Sequence, residues 1–365
     1  MKAIFFIHSL LLLFLLNQCT FSQQNSEEAK TKAEQYLNSG DQKQKIDIIG
    51  ALEDYHKALK LNPKCYMCYV NIAKMEYEQK KYDFAIQTFF EALRNIDPKI
   101  EQDYTNISYC VQKIGEYNYT RYGENELGER KSLEVQLSIW DSLIMKKPDP
   151  KYYLERGVLK NFKLADYKAA LVDYMFYYER GDGYKESIIL GEIAFCNFNI
   201  GNYFEAIQFY NKAIEIRPKG DEYIPNESRI DHVYFNRGAC KLNLGDYRGA
   251  IGDFKYAISI HPKPDPNFII IKNYLGIVPM YNGLVQARLR LNDYQNAVND
   301  LNECISYISL NGMDQAENKD LAEIFYLVGF AQYNLRNKEN ACSAWSKSGE
   351  LGKSEAYDAI KKYCK

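Results

Sequence analysis

Two cysteines three residues apart are the feature of this sequence best suited to chemistry. Cys65 and Cys68 form a C-x-x-C motif after Pro63, at the predicted start of a helix. A helix N-terminus stabilises a thiolate, so such a pair can carry out thiol–disulfide exchange. However, redox proteins with this motif place it beside a βαβ unit, and here the surrounding pattern is helical. A redox site, a local structural disulfide and simple packing therefore all stay open.

Metal and acid–base chemistry have few candidate residues. Three of the four histidines, His56, His232 and His261, lie far apart and pair with no His or Cys at ligand spacing. No phosphate-binding glycine loop, nucleophile elbow or acidic calcium loop is present. Lys and Arg total 46 and Asp and Glu total 48, a balance that does not favour nucleic acid or anionic lipid. We therefore expect neither an enzyme nor a cofactor or metal site.

The first 22 residues have the layout of a secretory signal peptide. Lys2 supplies a positive charge, residues 4–16 are mostly apolar, and Thr20 and Ser22 are small residues at the positions that a signal peptidase reads. We expect cleavage after Ser22. The mature chain is then exported, either periplasmic or envelope-associated, with secretion as an alternative.

A lipoprotein signal is the competing interpretation, with Cys19 as the acylated residue. Leu, Asn and Gln occupy positions 16–18, whereas a lipoprotein signal has small residues immediately before its cysteine. No later segment has the length and apolarity of a membrane helix. We therefore expect no transmembrane segment in the mature chain, with envelope association still possible.

The elements that position these residues follow from an internal repeat. Ala51 and Ala85 are 34 residues apart, as are Ala58 and Ala92. Tyr55 lies between Ala51 and Ala58, and Phe89 lies between Ala85 and Ala92. The same phrase returns with Ala206, Tyr210, Ala213 and Pro218, with Ala250, Phe254, Ala257 and Pro262, and more weakly with Ala297, Leu301 and Cys304 and with Ala341, Trp345 and Ser348. Gly201 and Gly245 lie upstream, where a helix must end in a left-handed residue.

This phrase resembles the tetratricopeptide repeat, a pair of antiparallel helices that contact through small residues. The resemblance implies an all-α fold, an α-solenoid wound as a right-handed superhelix of about eight repeats. The N-terminal signal, which ends in Phe, Ser and Gln at positions 21–23, and the C-terminal tail both resemble those of exported Bacteroidetes proteins. The tail is also similar to the Sel1-like repeat variant and is expected to cap the stack.

The predicted organisation has three parts, of which the repeat array is by far the longest. Within that array one repeat is degenerate, with Trp140 and Pro148 as markers of its second helix and an apparent loop insertion at 122–131. Further insertions fall between repeats, at about 219–230, 263–276 and 309–319. The predicted parts are a signal peptide (1–22), a repeat solenoid (23–350, degenerate at 101–148) and a capping helix (351–365).

The cap contains a second predicted cysteine pair. Cys342 lies early in one predicted helix and Cys364 ends the next, with a turn near Leu351 between them. Antiparallel helices bring these positions together, so we predict a disulfide between Cys342 and Cys364. Cys196, Cys240 and Cys304 are interpreted as packing residues, and Cys110 has no role that the sequence explains.

The resemblance also implies a concave groove lined by the first helix of each repeat. A carboxylate clamp is not supported, because Phe235, Asn236 and Ala239 occupy the corresponding places. The mapped lining is aromatic and aliphatic, which favours an extended or helical peptide held by apolar anchors. The groove residues are Met67, Val70, Lys74, Tyr77, Leu154, Val158, Ile188, Phe195, Phe198, Tyr326, Phe330 and Tyr333.

These observations predict a scaffold that binds protein or peptide partners outside the cytoplasm. Two alternatives stay open. The Tyr-rich groove would also suit a glycan or a small ligand, since the sequence contains 32 tyrosines. The pair Cys65 and Cys68 would instead suit a thiol–disulfide protein.

Overall fold

A computed structural model describes residues 26–95, 101–181, 186–216, 230–261, 276–311 and 318–365. All regular elements in these ranges are α-helices. The predicted signal peptide with Cys19, the prolines at 98, 218 and 262, and most of the insertions between repeats lie outside the described residues.

The helices follow one another as pairs joined by short turns. They are α1 (26–43), α2 (Ile48–Leu61), α3 (Tyr66–Glu78), α4 (Tyr82–Asn95), α5 (Glu101–Tyr122), α6 (Glu126–Lys146), α7 (Pro150–Phe162), α8 (Tyr167–Arg180), α9 (Glu186–Asn199), α10 (Tyr203–Glu215), α11 (Ile230–Asn243), α12 (Tyr247–Ile260), α13 (Ile277–Arg290), α14 (Tyr294–Asn311), α15 (Asn318–Asn334), α16 (Lys338–Glu350) and α17 (Glu355–Tyr363). Odd-numbered helices up to α15 are the first helices of their pairs, and even-numbered ones are the second helices. The predicted all-α fold of consecutive helix pairs is confirmed.

Small residues hold the pairs together because they let two helices approach closely. The alanines of the repeated phrase are buried in every pair in which they occur, from Ala51 to Ala341. In α11, a Cβ added to Gly238 would lie 3.0 Å from the ring of Phe254 on α12. The ring therefore fills the space that the missing side chain leaves, as close packing requires.

Seven of the eight turns within pairs contain a left-handed residue. Gly201 and Gly245 have φ angles of 86° and 84°, as the sequence predicts, and Gly123 has the same conformation between α5 and α6. In the remaining four turns the left-handed residue is not a glycine; these residues are Lys80, Ala165, Asn292 and Arg336. The following helix then starts on a polar cap, as where Asp246 accepts a hydrogen bond from the backbone N–H of Gly249.

A buried aspartate recurs three residues after the first alanine of the second helix. Asp253 on α12 accepts two hydrogen bonds from Arg237 of α11, at 2.8 and 2.6 Å, and Lys241 lies 2.8 Å away. Each such carboxylate pairs with a cation of its own first helix, so it locks the two helices in one register. The set consists of Asp54, Asp173, Asp253 and Asp300, with Lys43, Lys160, Arg237 and Arg288 as the respective cations.

The chain forms two compact units. Unit 1 ends at Leu159 and unit 2 begins at Lys160, so the division falls near the end of α7. Unit 1 buries Tyr55 in one cluster and Phe89, Trp140 and Tyr152 in another. The cores of unit 2 are built around Tyr210, Phe254 and Trp345.

The degenerate repeat is a full helix pair, α5 and α6. Its helices have 22 and 21 residues, against 13 or 14 in most other pairs. The predicted insertion at 122–131 is wrong, because only residues 123–125 form a turn and α6 begins at Glu126. Asn125 caps α6 by accepting hydrogen bonds from the amides of Leu127 and Gly128, which explains why the helix starts so early.

The C-terminal segment forms one short helix, as expected for a cap. Ala356 and Ala359 of α17 are buried against Ala341 and Trp345 of α16. The likeness of this segment to the Sel1 variant stays a prediction. No helix within the described ranges is long and apolar enough to span a membrane.

Candidate partner surface and cysteine pairs

The first helices of unit 1 lie side by side and form one surface, which we call the first-helix surface of unit 1 (α3, α5 and α7). Aromatic rings connect the neighbouring helices. Tyr77 of α3 stacks on Tyr117 of α5 with ring centroids 4.1 Å apart, and Tyr104 of α5 stacks on Tyr152 of α7 at 6.4 Å. These contacts make the surface continuous over the three helices.

Polar groups on the same surface are tied to one another. Glu155 of α7 accepts hydrogen bonds from the Tyr104 hydroxyl at 2.6 Å and from the Ser108 hydroxyl at 3.2 Å. The ammonium of Lys151 lies 5.3 Å from the Tyr104 ring. The carboxylate of Glu155 therefore orients the hydroxyl of Tyr104, while Tyr152 and Lys151 contact its ring.

The predicted groove residues of unit 1 all lie on this surface. Met67 and Val158 are 49% and 37% exposed, and Lys74 is also exposed. The remaining three are half-buried: Val70, Tyr77 and Leu154. Among the described residues, this methionine and valine remain exposed beside tyrosines and offer apolar anchor points.

The predicted groove residues on α9 are engaged within unit 2. Phe195 meets the ring of Tyr167 edge-on at 5.9 Å, and Phe198 contacts Tyr203 at 5.8 Å. Ile188 is half-buried. Their rings therefore pack against the second helices α8 and α10, and present less free surface than the unit 1 residues.

The predicted groove residues on α15 lie against the cap. Phe330 is 5.2 Å from Trp345, and Tyr333 is 4.8 Å from Tyr363 of α17. Tyr326 contacts Phe330 at 5.1 Å, and its backbone carbonyl accepts a hydrogen bond from the Trp345 indole. These three residues join α15 to the cap, although Tyr333 keeps 42% of its surface exposed.

Sequence reasoning missed the tyrosines of α5. Tyr109 and Tyr117 are eight residues apart, a spacing that places both on one helix face. Tyr66 of α3 meets Tyr109 edge-on at 6.4 Å, so these residues belong to the first-helix surface of unit 1. The missing alanine phrase in this repeat hid them, while their helical spacing was a usable signal.

Glu192 on α9 is a half-buried carboxylate that has no cation beside it among the residues that the structure describes. The Asn161 amide donates a hydrogen bond of 2.7 Å to Glu192, and Tyr174 lies next to Asn161. Burial raises the pKa of Glu192 to about 7, because removal from water penalises the charged form. Nothing in the sequence pattern marked this residue.

Two cysteine pairs lie at disulfide-bonding distance. The Cα atoms of Cys65 and Cys68 are 5.4 Å apart within the first turn of α3, and those of Cys342 and Cys364 are 5.8 Å apart between α16 and α17. Both separations suit a disulfide. Whether either bond forms stays a prediction.

The other described cysteines are buried. Burial raises the pKa values of Cys110, Cys196 and Cys240 to about 12, which makes their thiols poor nucleophiles. Cys304 is likewise fully buried, and Cys110 fills a packing position in unit 1. Within the described ranges, no group of three or more His, Cys, Asp and Glu side chains could hold a metal ion.

A comparison with protein families matches two segments, residues 189–219 and 278–309, to the tetratricopeptide repeat. These segments cover the helix pairs α9–α10 and α13–α14. These two segments therefore match the repeat that the spacing of the alanines indicates. No curated protein matches this sequence.

Solved structures align with this chain at low sequence identity. A signal-transduction ATPase with a tetratricopeptide repeat sensor, from Pyrococcus horikoshii, aligns with a TM-score of 0.52 and 16% identity, over 90% of this chain and 49% of that one. The C-terminal part of a repeat-containing protein from Cytophaga hutchinsonii aligns at 0.48 and 18% identity, over 79% and 98%. YrrB, described as having an unusual peptide-binding site, aligns at 0.43 and 14%, over 61% and 97%.

Proposed function

We propose that this tetratricopeptide repeat protein is a scaffold that binds a peptide segment of a partner protein on the first-helix surface of unit 1. The observation that carries the proposal is the continuous tyrosine-rich face of α3, α5 and α7, on which Met67 and Val158 remain exposed. Rigid aromatic rings lose little conformational entropy on binding, so they suit a recognition surface.

The bound segment is expected to be apolar with polar edges. Met67 and Val158 would contact its apolar side chains, while the tyrosine hydroxyls and Lys74 would contact its backbone or polar groups. Residues of this kind act as anchors when a partner removes them from water.

The proposed site of action is outside the cytoplasm. The support is the N-terminal pattern of Lys2, the apolar stretch at 4–16 and the small residues Thr20 and Ser22. A disulfide between Cys342 and Cys364 fits an oxidising compartment, where it would hold α17 on α16. Cleavage after Ser22 is tested by N-terminal sequencing of the protein purified from its native cells.

The binding proposal is tested by selecting peptides from a random library against the full chain and measuring their affinity for variants. The variant Met67→Glu/Val158→Glu places two charges on the first-helix surface of unit 1. We expect it to weaken binding at least roughly tenfold, because each glutamate must be desolvated beneath the peptide.

A matched control carries the same charges on the second helices of unit 1. Phe84→Glu/Met145→Glu alters residues that are 64% and 84% exposed on α4 and α6. We expect affinity within about twofold of the parent, since these residues lie outside the proposed surface. Equal losses in the two variants would refute the location, and selection of no peptide would refute the function.

A further inference from the structure

The cysteine pair of α3 differs from that of the cap in what it joins. Cys65 and Cys68 are three residues apart within one helical turn, so a bond between them links no two elements. Cys342 and Cys364 are 22 residues apart and link α16 to α17. A disulfide stabilises a fold more when it closes a longer loop. The α3 pair is therefore poorly placed to act as a structural staple.

The other repeats show that the packing of α3 does not need a disulfide between Cys65 and Cys68. Cys68 is fully buried and lies ten residues before the last residue of its first helix. In five of the six later first helices, the same position holds a buried residue that cannot form a disulfide; these residues are Tyr152, Ile189, Val233, Met280 and Ile324. In the longer helix α5 this position is the exposed Gln112. An apolar side chain is sufficient for this packing site, so the two sulfur atoms at the start of α3 serve another purpose.

One cysteine of each pair caps a helix, Cys65 at the N-terminus of α3 and Cys364 at the C-terminus of α17. Cys65 is the N-cap residue of α3, is half-buried and makes no side-chain capping hydrogen bond. The positive end of the helix dipole stabilises a thiolate there. Cys364 is the C-cap residue of α17, where the negative end of the dipole disfavours a thiolate. The reduced form is therefore favoured at Cys65 and opposed at Cys364.

We propose that Cys65 and Cys68 form a thiol-exchange site, whose substrate is an accessible cysteine thiol of a peptide or protein. Cys65 is the attacked sulfur because it is the more accessible of the two, and the buried Cys68 is the leaving thiolate, which can also return to Cys65 and release the substrate. The pair Cys342 and Cys364 stays oxidised under the same conditions and holds the cap.

The exchange proceeds in two balanced steps. A substrate thiolate attacks Sγ of Cys65, the bond between Cys65 and Cys68 breaks, and Cys68 leaves as a thiolate that takes up a proton. A second substrate thiolate then attacks the substrate sulfur of the mixed disulfide and expels the thiolate of Cys65. Two substrate thiols become one disulfide, and the protein gains two electrons and two protons as the dithiol.

The test uses the full chain in a buffer of reduced and oxidised glutathione. Samples are quenched with acid and alkylated, and both cysteine pairs are then mapped by mass spectrometry in the same molecules. We expect the Cys65–Cys68 bond to open at least roughly tenfold faster than the Cys342–Cys364 bond, and at a lower fraction of reduced glutathione. Equal or reversed rates would overturn the proposal.

Single variants trap the intermediate. In Cys68→Ser, the Cys65 thiolate attacks oxidised glutathione and expels reduced glutathione, and no neighbouring thiol remains to displace the bound glutathione. An adduct with one glutathione should therefore accumulate on Cys65. The matched variant Cys342→Ser leaves Cys364 alone at a helix C-terminus and should form its adduct more slowly. Absence of an adduct on Cys65 would contradict the assignment of the attacked sulfur.

A double variant separates exchange from folding. Cys65→Ser/Cys68→Val places at position 68 the residue type that α11 carries as Val233. We expect a cooperative thermal transition within a few degrees of the parent protein, with complete loss of exchange at this site. A variant that fails to fold would show that the bridge is structural and would overturn the proposal.

Discussion

The pairs α11–α12 and α5–α6 reach the same helix-pair architecture by different means. The first pair brings its helices together at Gly238, fills the space with Phe254 and fixes the register with the buried ion pair of Asp253 and Arg237. The second pair lacks this aspartate. It uses longer helices and large buried residues such as Tyr117 and Trp140, while the ion pairs within α5 and α6 lie at the surface.

The difference shows that the repeat signature describes one solution to helix packing. Short helices offer little contact area, so their pairs depend on a close approach, and four helix pairs add a buried ion pair that fixes the register. Long helices bury enough apolar side chains to do without either. The α5–α6 pair also presents tyrosines on the first-helix surface of unit 1, where the regular pairs present fewer. The repeat that departs from the pattern is thus the one that contributes most to the candidate partner surface.

Loss of an ion pair should lower the free energy of unfolding far more in α11–α12 than in α5–α6. Asp253→Ala leaves Arg237 and Lys241 without their shared partner, and we expect it to lower the free energy of unfolding by about 3 kcal/mol. Glu134→Ala on α6 removes a solvent-exposed partner of Lys131 and should cost less than about 1 kcal/mol. Urea unfolding of the two variants measures both values. Equal costs would mean that the buried aspartate is not a lock.

Glycine substitutions test the close approach. A Cβ added to Gly283 of α13 would lie 2.6 Å from the Phe254 ring, which is held on both sides, so Gly283→Ala should destabilise by about 2 kcal/mol. In the long pair, Gly115 faces only the flexible end of Gln136. Gly115→Ala should therefore be neutral or stabilise by up to about 1 kcal/mol. The melting temperatures of the two variants should move in opposite directions, and a shared direction would contradict the comparison.

The free energy of unfolding should depend on pH because of Glu192 in the helix pair α9–α10. Burial raises the pKa of Glu192 to about 7, above its unfolded value near 4.5, so the stability that it contributes is present at low pH and lost as the pH rises through 7. We expect unit 2 to gain stability, at most about 1 kcal/mol per pH unit, between pH 8 and 6.

Variants of Glu192 and of an exposed glutamate separate this effect from the rest of the chain. Glu192→Gln keeps a hydrogen-bond acceptor for Asn161 and should remove the change in stability between pH 8 and 6. Glu134→Gln on α6 should leave that change as it is in the parent protein. Thermal unfolding at several pH values measures both. A dependence that survives Glu192→Gln would assign it to another group.

The sequence predicted the fold better than the surface. Alanines at fixed spacing report directly on helix contacts, so the pairs, the turns at Gly201 and Gly245 and the burial of Cys196 and Cys240 could all be inferred. The buried aspartates could not, because an aspartate on a helix looks like a solvated residue until its cation is seen to lie across the pair.

The groove residues stay a prediction for a related reason. The position of a residue in a first helix predicts which face of the helix it lies on. It does not predict which side chains from other helices pack over it. Tyr326, Phe330 and Tyr333 are at the expected places, yet they pack on the cap because Trp345 and Tyr363 lie beside them. Glu192 escaped notice since the cause of its raised pKa is burial by residues distant in sequence.

The most direct measurement of the central claim is photo-crosslinking of a selected peptide to the full chain. A photoreactive amino acid replaces Met67 or Val158 on the first-helix surface of unit 1, or Phe84 or Met145 on the second helices. The account predicts crosslinks from positions 67 and 158 and none from positions 84 and 145. Crosslinks confined to the second helices would contradict it.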